Sequence, residues 1–146
     1  MNLLSPVSTI MTKKLITLSP NDTLSEVREI FSQHRIHHIL IMKDNRLQGI
    51  VSKSDYLFFC KNIDEKDVDL KAEDTRHNKY KVSDIMTEGI ATLNPNDKIN
   101  VALEIFKENL FHSIPVKDED AVVGIVTPYD IIKTLSEDKV ATNSYS

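Results

Sequence analysis

The sequence predicts a mixed α/β (α+β) fold of two β-α-β-β-α units, and three observations carry that expectation. The chain matches itself without a gap at an offset of 75 residues, Val7 falling on Val82. Apolar spacing alternates between helical and strand periods in the same order in both copies. Proline, aspartate and short polar clusters punctuate the two copies at matching places. A repeat of this kind sets the frame for every later assignment, because each element must then be justified twice.

The register is dense. Val7-Ser8-Thr9-Ile10-Met11-Thr12 lies on Val82-Ser83-Asp84-Ile85-Met86-Thr87, and Thr17-Leu18-Ser19-Pro20-Asn21-Asp22 on Thr92-Leu93-Asn94-Pro95-Asn96-Asp97. Glu29-Ile30-Phe31 lies on Glu104-Ile105-Phe106, His37 on His112, Gly49-Ile50-Val51 on Gly124-Ile125-Val126, and Asp55 on Asp130. The copies span roughly residues 7–60 and 82–136.

Within each copy the elements follow in order. A short strand ends at Pro20 or Pro95, after which Asp22 or Asp97 is expected to cap a helix, its carboxylate accepting an orphan amide of the first turn. Leu24, Val27, Ile30 and Phe31, and in the second copy Ile99, Leu103, Ile105 and Phe106, recur at near-helical spacing and mark the buried face. Two strands come next: His38 to Met42 and Leu47 to Ser52 around a turn at Lys43-Asp44-Asn45, and Ser113 to Lys117 and Val122 to Thr127 around Asp118-Glu119-Asp120. A second helix opens at Lys53 or Pro128, where a proline is favourable because its missing amide would have had no partner. The organisation is thus a first domain over 1–61, a charged connector over 62–81, a second domain over 82–136 and a polar, fraying tail over 137–146. The mixed charges of the connector read as a solvated link, with a partner-docking segment as the alternative.

Composition excludes several functions. The 146 residues are 40% hydrophobic, enough for a core, so neither disorder nor a fibre is expected. Lys and Arg number 18 against 22 Asp and Glu, a net charge of −4, and no long basic stretch suggests nucleic acid as the partner. Gly49, Gly89 and Gly124 are too scattered for a P-loop or a G-x-G-x-x-G turn. No apolar run approaches a membrane span, and the N-terminus lacks the pattern of a secretory leader, so a soluble cytoplasmic protein is expected. The single cysteine, Cys60, beside Phe58 and Phe59, reads as a small core hydrophobe. His34, His37 and His38 are close in sequence, but strand neighbours point to opposite faces and no Asp or Cys completes a set, so no metal site is expected. No nucleophile and base stand in a supporting pattern, so no catalytic residues and no enzyme are expected.

Each copy ends in Gly-Ile-Val-[Ser/Thr]-x-x-Asp: Gly49-Ile50-Val51-Ser52-Lys53-Ser54-Asp55 and Gly124-Ile125-Val126-Thr127-Pro128-Tyr129-Asp130. With Ile10-Met11-Thr12, Ile85-Met86-Thr87 and Ser113-Ile114-Pro115-Val116, these resemble a tandem pair of cystathionine-β-synthase (CBS) domains, a Bateman module. Leu40 departs from the pattern that Pro115 keeps. The resemblance implies two repeats packed with pseudo-two-fold symmetry, a homodimer, and clefts that take AMP, ADP, ATP or S-adenosylmethionine as a regulatory ligand rather than a cofactor. It implies that Asp55 and Asp130 accept the ribose hydroxyls, a role suited to an acceptor-only carboxylate, with Ser52 and Thr127 near the ribose or α-phosphate. It also implies shared clefts, Ile50, Ser52 and Asp55 facing His112, Ser113 and Ile114, and Ile125, Thr127 and Asp130 facing His37, His38 and Ile39. The amides opening the following helices attract phosphate. Lys53 in one motif against Pro128 in the other makes the clefts unequal, the first favouring phosphorylated ligands. The expected function is a non-enzymatic sensor signalling to a partner protein; the alternative is an interaction scaffold with vestigial clefts, in which Asp55, Asp130, Ser52 and Thr127 only cap helices.

Overall fold

The computed structural model describes residues 1–63, 77–109 and 111–143. Two compact units form, one of Ile16–Gly89 and the other of Met1–Leu15 with the chain from Ile90 onward. These boundaries differ from those of the sequence repeats. The segment that opens each copy in sequence folds with the other copy's hairpin.

In the first unit, β1 (Thr17–Leu18) pairs in parallel with β2 (His38–Lys43), which pairs antiparallel with β3 (Arg46–Ser52). Asp44 and Asn45 turn the hairpin with φ of 52° and 61°, a left-handed pair that Asp and Asn tolerate and that suits the twist of the strands. Helix α1 (Leu24–Gln33) buries Leu24, Val27 and Phe31 against Ile39, Ile41, Val51, Tyr56 and Val82. Helix α2 (Lys53–Ile63) follows β3 directly.

Asp22 does not cap α1. Its carboxylate accepts the Ser19 amide at 2.7 Å inside a turn closed by Asp22 N to Ser19 O, and the N-cap position falls to Thr23. Asp97 repeats this with the Asn94 amide at 2.8 Å, leaving Lys98 at the N-cap. The turn around Pro20 or Pro95 uses the carboxylate before the helix begins.

Residues 64–76 of the connector lie outside the described residues. Its last residues are packed rather than solvated: His77 is buried, Tyr56 Oη and His77 Nε2 lie 2.7 Å apart, and Tyr80 stands edge-on to Phe59 at 4.9 Å. Cys60 is half-buried against this core, its Sγ 3.7 Å from His77 Nε2. A 3-10 turn at Val82–Asp84 then buries Val82, and Thr87 bridges β3 through paired bonds with Ile50 of 2.8 and 3.0 Å.

The second unit has the same plan with a shorter sheet. β4 (Ile114–Asp118) and β5 (Ala121–Val126) form the hairpin, and the expected strand before Pro95 is reduced to a single parallel bridge, Leu93 to Val116. Both hairpins shift register at the corresponding step, Ile41/Met42 and Val116/Lys117. Helix α3 (Ile99–Lys107) buries Ile99 and Ala102, while Ile105 and Phe106 pack half-buried at the core's edge. Helix α4 (Pro128–Asn143) continues through the segment read as a tail, and the Met1 amine pairs with the Asp138 carboxylate. The 3-10 turn Val7–Thr9 buries Val7 here, and Thr12 bridges Ile125 through bonds of 2.9 and 3.0 Å.

Candidate functional site

Each Gly-Ile-Val-[Ser/Thr]-x-x-Asp motif spans the end of a strand and the first turn of a helix. The glycine is required by a neighbouring segment of the same chain. A Cβ on Gly49 would lie 2.7 Å from the carbonyl oxygen of Thr87, and one on Gly124 would lie 2.5 Å from Met11 Sδ. The Ile-Met-Thr segments therefore run directly over the motif glycines, and each brings a threonine hydroxyl to the motif aspartate.

In the first unit Ile50 is buried, while Ser52 and Asp55 are half-buried. Ser52 Oγ accepts the Asp55 amide at 3.0 Å, so the serine caps α2. Thr87 Oγ1 stands 3.5 Å from Asp55 Oδ2, beyond the usual reach of an O–H···O bond. Beside the motif, His38 is opposite Ser52 and Ile39 opposite Val51, and the Lys53 amide donates to the His37 carbonyl at 2.8 Å.

In the second unit the roles change. Asp130 is buried, 7% exposed, and reaches back to cap its own helix: the Thr127 amide donates to Oδ2 at 2.8 Å and the Thr127 hydroxyl at 3.3 Å. Thr12 Oγ1 donates to Oδ1 at 2.8 Å. Ile125 is buried, and Ile114 is opposite Val126.

Each unit thus brings together three motif residues and part of its own pre-hairpin segment. The flanking residues differ in access: His37 and His112 are exposed, His38 is half-buried, Ser113 is buried, and Ile39 and Ile114 lie wholly within the cores. Thr12 and Thr87 were not singled out as site residues from the sequence. The signal was present in their pairing at the repeat offset, but nothing in a linear sequence shows which carboxylate a threonine will meet.

Chemically, the sites offer carboxylate and hydroxyl oxygens, a set suited to a polyhydroxylated ligand, while the amides of Lys53, Asp55, Thr127 and Asp130 are bonded within the protein. Among the described residues no group of three or more His, Cys, Asp and Glu side chains is arranged to hold a metal ion. No helix among them is long and apolar enough to cross a membrane.

The family model of the CBS domain matches residues 7–62 and 82–137. The chain is 30% identical over 125 residues to protein MJ1232 of Methanocaldococcus jannaschii, covering 85% of this chain and 37% of that one. It is 29% identical over 125 residues to the inosine-5′-monophosphate dehydrogenase of Thermoplasma acidophilum, covering 85% of this chain but 22% of the dehydrogenase. In fold it is similar to the structure of CBSX2 in complex with AMP, with a TM-score of 0.75, 20% identity, and coverage of 92% and 98% of the two chains. It is also similar to the CBS domain pair of protein MJ0100 in complex with 5′-methylthioadenosine and S-adenosyl-L-methionine, with a TM-score of 0.71, 28% identity, and coverage of 92% and 98%.

Proposed function

Because this chain belongs to the CBS-domain family and carries the domain twice, we propose that it is a non-enzymatic regulatory module that binds adenosine-containing ligands and signals their presence to a partner protein in the cytoplasm. The observation that carries this reading is Asp55, an accessible carboxylate in the first turn of α2 with no short hydrogen bond from a side chain among the described residues. It offers the two acceptor oxygens that a ribose diol needs. Complexes of similar folds with AMP and with S-adenosylmethionine support the ligand class. Ile50, Ser52 and Asp55, and Ile125, Thr127 and Asp130, form the ligand contacts in this reading. His37, His38, Ile39, His112, Ser113 and Ile114 complete them, the wholly buried isoleucines through their backbone.

The reading includes a homodimer. Leu57 and Phe58 on α2, at 55% and 70% exposure, and Tyr129, Ile132 and Leu135 on α4, at 68%, 62% and 49%, leave apolar faces uncovered, and a second copy would bury them. A thermal-shift panel of AMP, ADP, ATP and S-adenosylmethionine tests the ligand class. A ligand at 100 times its dissociation constant stabilises the fold by about 2.7 kcal/mol, a readily measured rise in Tm. A panel in which no compound shifts Tm or releases heat would leave the interaction scaffold as the better reading.

A further inference from the structure

The two motif aspartates hold equivalent places in sequence but differ in how their oxygens are used. An ionised carboxylate has about four lone-pair sites. Among the described residues each oxygen of Asp130 carries one short bond, Oδ1 from the Thr12 hydroxyl at 2.8 Å and Oδ2 from the Thr127 amide at 2.8 Å, with the Thr127 hydroxyl a longer contact on Oδ2 at 3.3 Å. The amide bond is fixed by the start of α4 and cannot be released without orphaning a helix-opening donor. Among the described residues Oδ1 is held by Thr12 alone. On Asp55 the corresponding hydroxyl, from Thr87, stands back at 3.5 Å.

We infer that Thr12 is a latch on Asp130, so that the Asp55 site takes a ribose diol as it stands while the Asp130 carboxylate receives both hydroxyls of one only after the Thr12 hydroxyl turns away. This rests on the proposed function for its ligand, but the latch itself is a property of the free protein. Thr12 sits where the chain's first segment docks on β5, through the two bonds to Ile125. Occupation of Asp130 would therefore loosen that docking, a coupling that the Asp55 site lacks.

Two measurements on the full chain test the latch. The first needs no ligand: amide hydrogen exchange by NMR in Thr12→Val and Thr87→Val. A hydrogen bond to a charged group contributes enough that losing it should speed exchange of the Thr12 amide about ten-fold, whereas the Thr87 amide should change less than about two-fold in its variant. Equal acceleration in both, or none in either, overturns the latch. The second is calorimetry with AMP. The wild type should show one tighter site per chain, removed by Asp55→Ala and kept in Asp130→Ala, and Thr12→Val should tighten the second site about ten-fold. A second site that is unchanged or weaker in Thr12→Val means that Thr12 is no latch. If AMP binds neither the wild type nor any variant, the nucleotide reading fails for AMP, and hydrogen exchange alone decides the latch.

Discussion

Replacing each motif glycine by alanine perturbs two equivalent positions whose surroundings differ, and the structure says which will cost more. A methyl group on Gly49 would meet the Thr87 carbonyl oxygen at 2.7 Å and Met86 Sδ at 3.1 Å. That carbonyl is tied to the Ile50 amide at 3.0 Å, so it cannot retreat without breaking the bridge to β3. On Gly124 the closest atoms are Met11 Sδ at 2.5 Å and Cγ at 2.8 Å, with the Thr12 carbonyl at 3.1 Å. A thioether on three rotatable bonds can swing aside where a paired carbonyl cannot. Overpacking typically costs about 1–3 kcal/mol; Gly49→Ala should fall in the upper part of that range and Gly124→Ala near its lower end. Urea unfolding reads the difference as a change in midpoint at constant m. Double-mutant cycles sharpen it: coupling should be larger between Gly124→Ala and Met11→Ala than between Gly49→Ala and Met86→Ala. A Gly49→Ala variant within about 0.5 kcal/mol of wild type, or one rescued fully by Met86→Ala, would mean that the Thr87 carbonyl is not the obstacle.

Two further outcomes are expected. Desolvation, a hydrogen bond with Asp22 and the neighbouring carboxylates of Asp22 and Glu29 hold the exposed Glu26 above its ordinary pKa of 4.5. A carboxyl whose folded pKa is raised contributes stability that is present below the unfolded value and lost as pH rises through the folded one, so Glu26→Gln should stabilise at pH 7, by at most about 0.3 kcal/mol because water screens this exposed carboxylate, and lose that advantage near pH 4. Denaturation of both proteins across pH 4–8 checks the sign; an advantage that grows as the pH falls contradicts it. Phe58→Asp and Ile132→Asp, each placing a charge on an exposed apolar helix face, should convert a dimer to a monomer by light scattering, and a wild type that is already a monomer at micromolar concentration removes the dimer.

Much of the fold was legible because local chemistry is strong where the elements change. The β2–β3 turn was marked by Asp44 and Asn45, both of which take positive φ, and the face of α1 by Leu24, Val27 and Phe31, all buried. The motif helices begin at Lys53 and Pro128 as their sequences suggest. What the sequence hid was tertiary. An offset of 75 residues is satisfied equally whether Val7–Thr12 folds with its own hairpin or with the other, and only packing shows Val7 among Leu93, Ile99 and Val116. Asp22 and Asp97 were misplaced as caps because a carboxylate can serve either a turn or a helix, and the turn around the proline comes first. The motif aspartates were readable as a pair of acceptors, but their inequality depends on less than an ångström in the approach of Thr12 and Thr87.

Whether Asp55 holds an adenosine ligand by its ribose hydroxyls is decided by calorimetry of AMP and 2′-deoxy-AMP against the wild type and Asp55→Ala. AMP should bind the tighter site of the wild type about ten-fold or more tightly than the deoxy compound does, since one hydrogen bond to a charged acceptor is lost, and Asp55→Ala should weaken AMP at that site to the affinity of the deoxy compound. Equal affinity of the two compounds for the tighter wild-type site, or a preference at that same site that survives Asp55→Ala, excludes this role for Asp55.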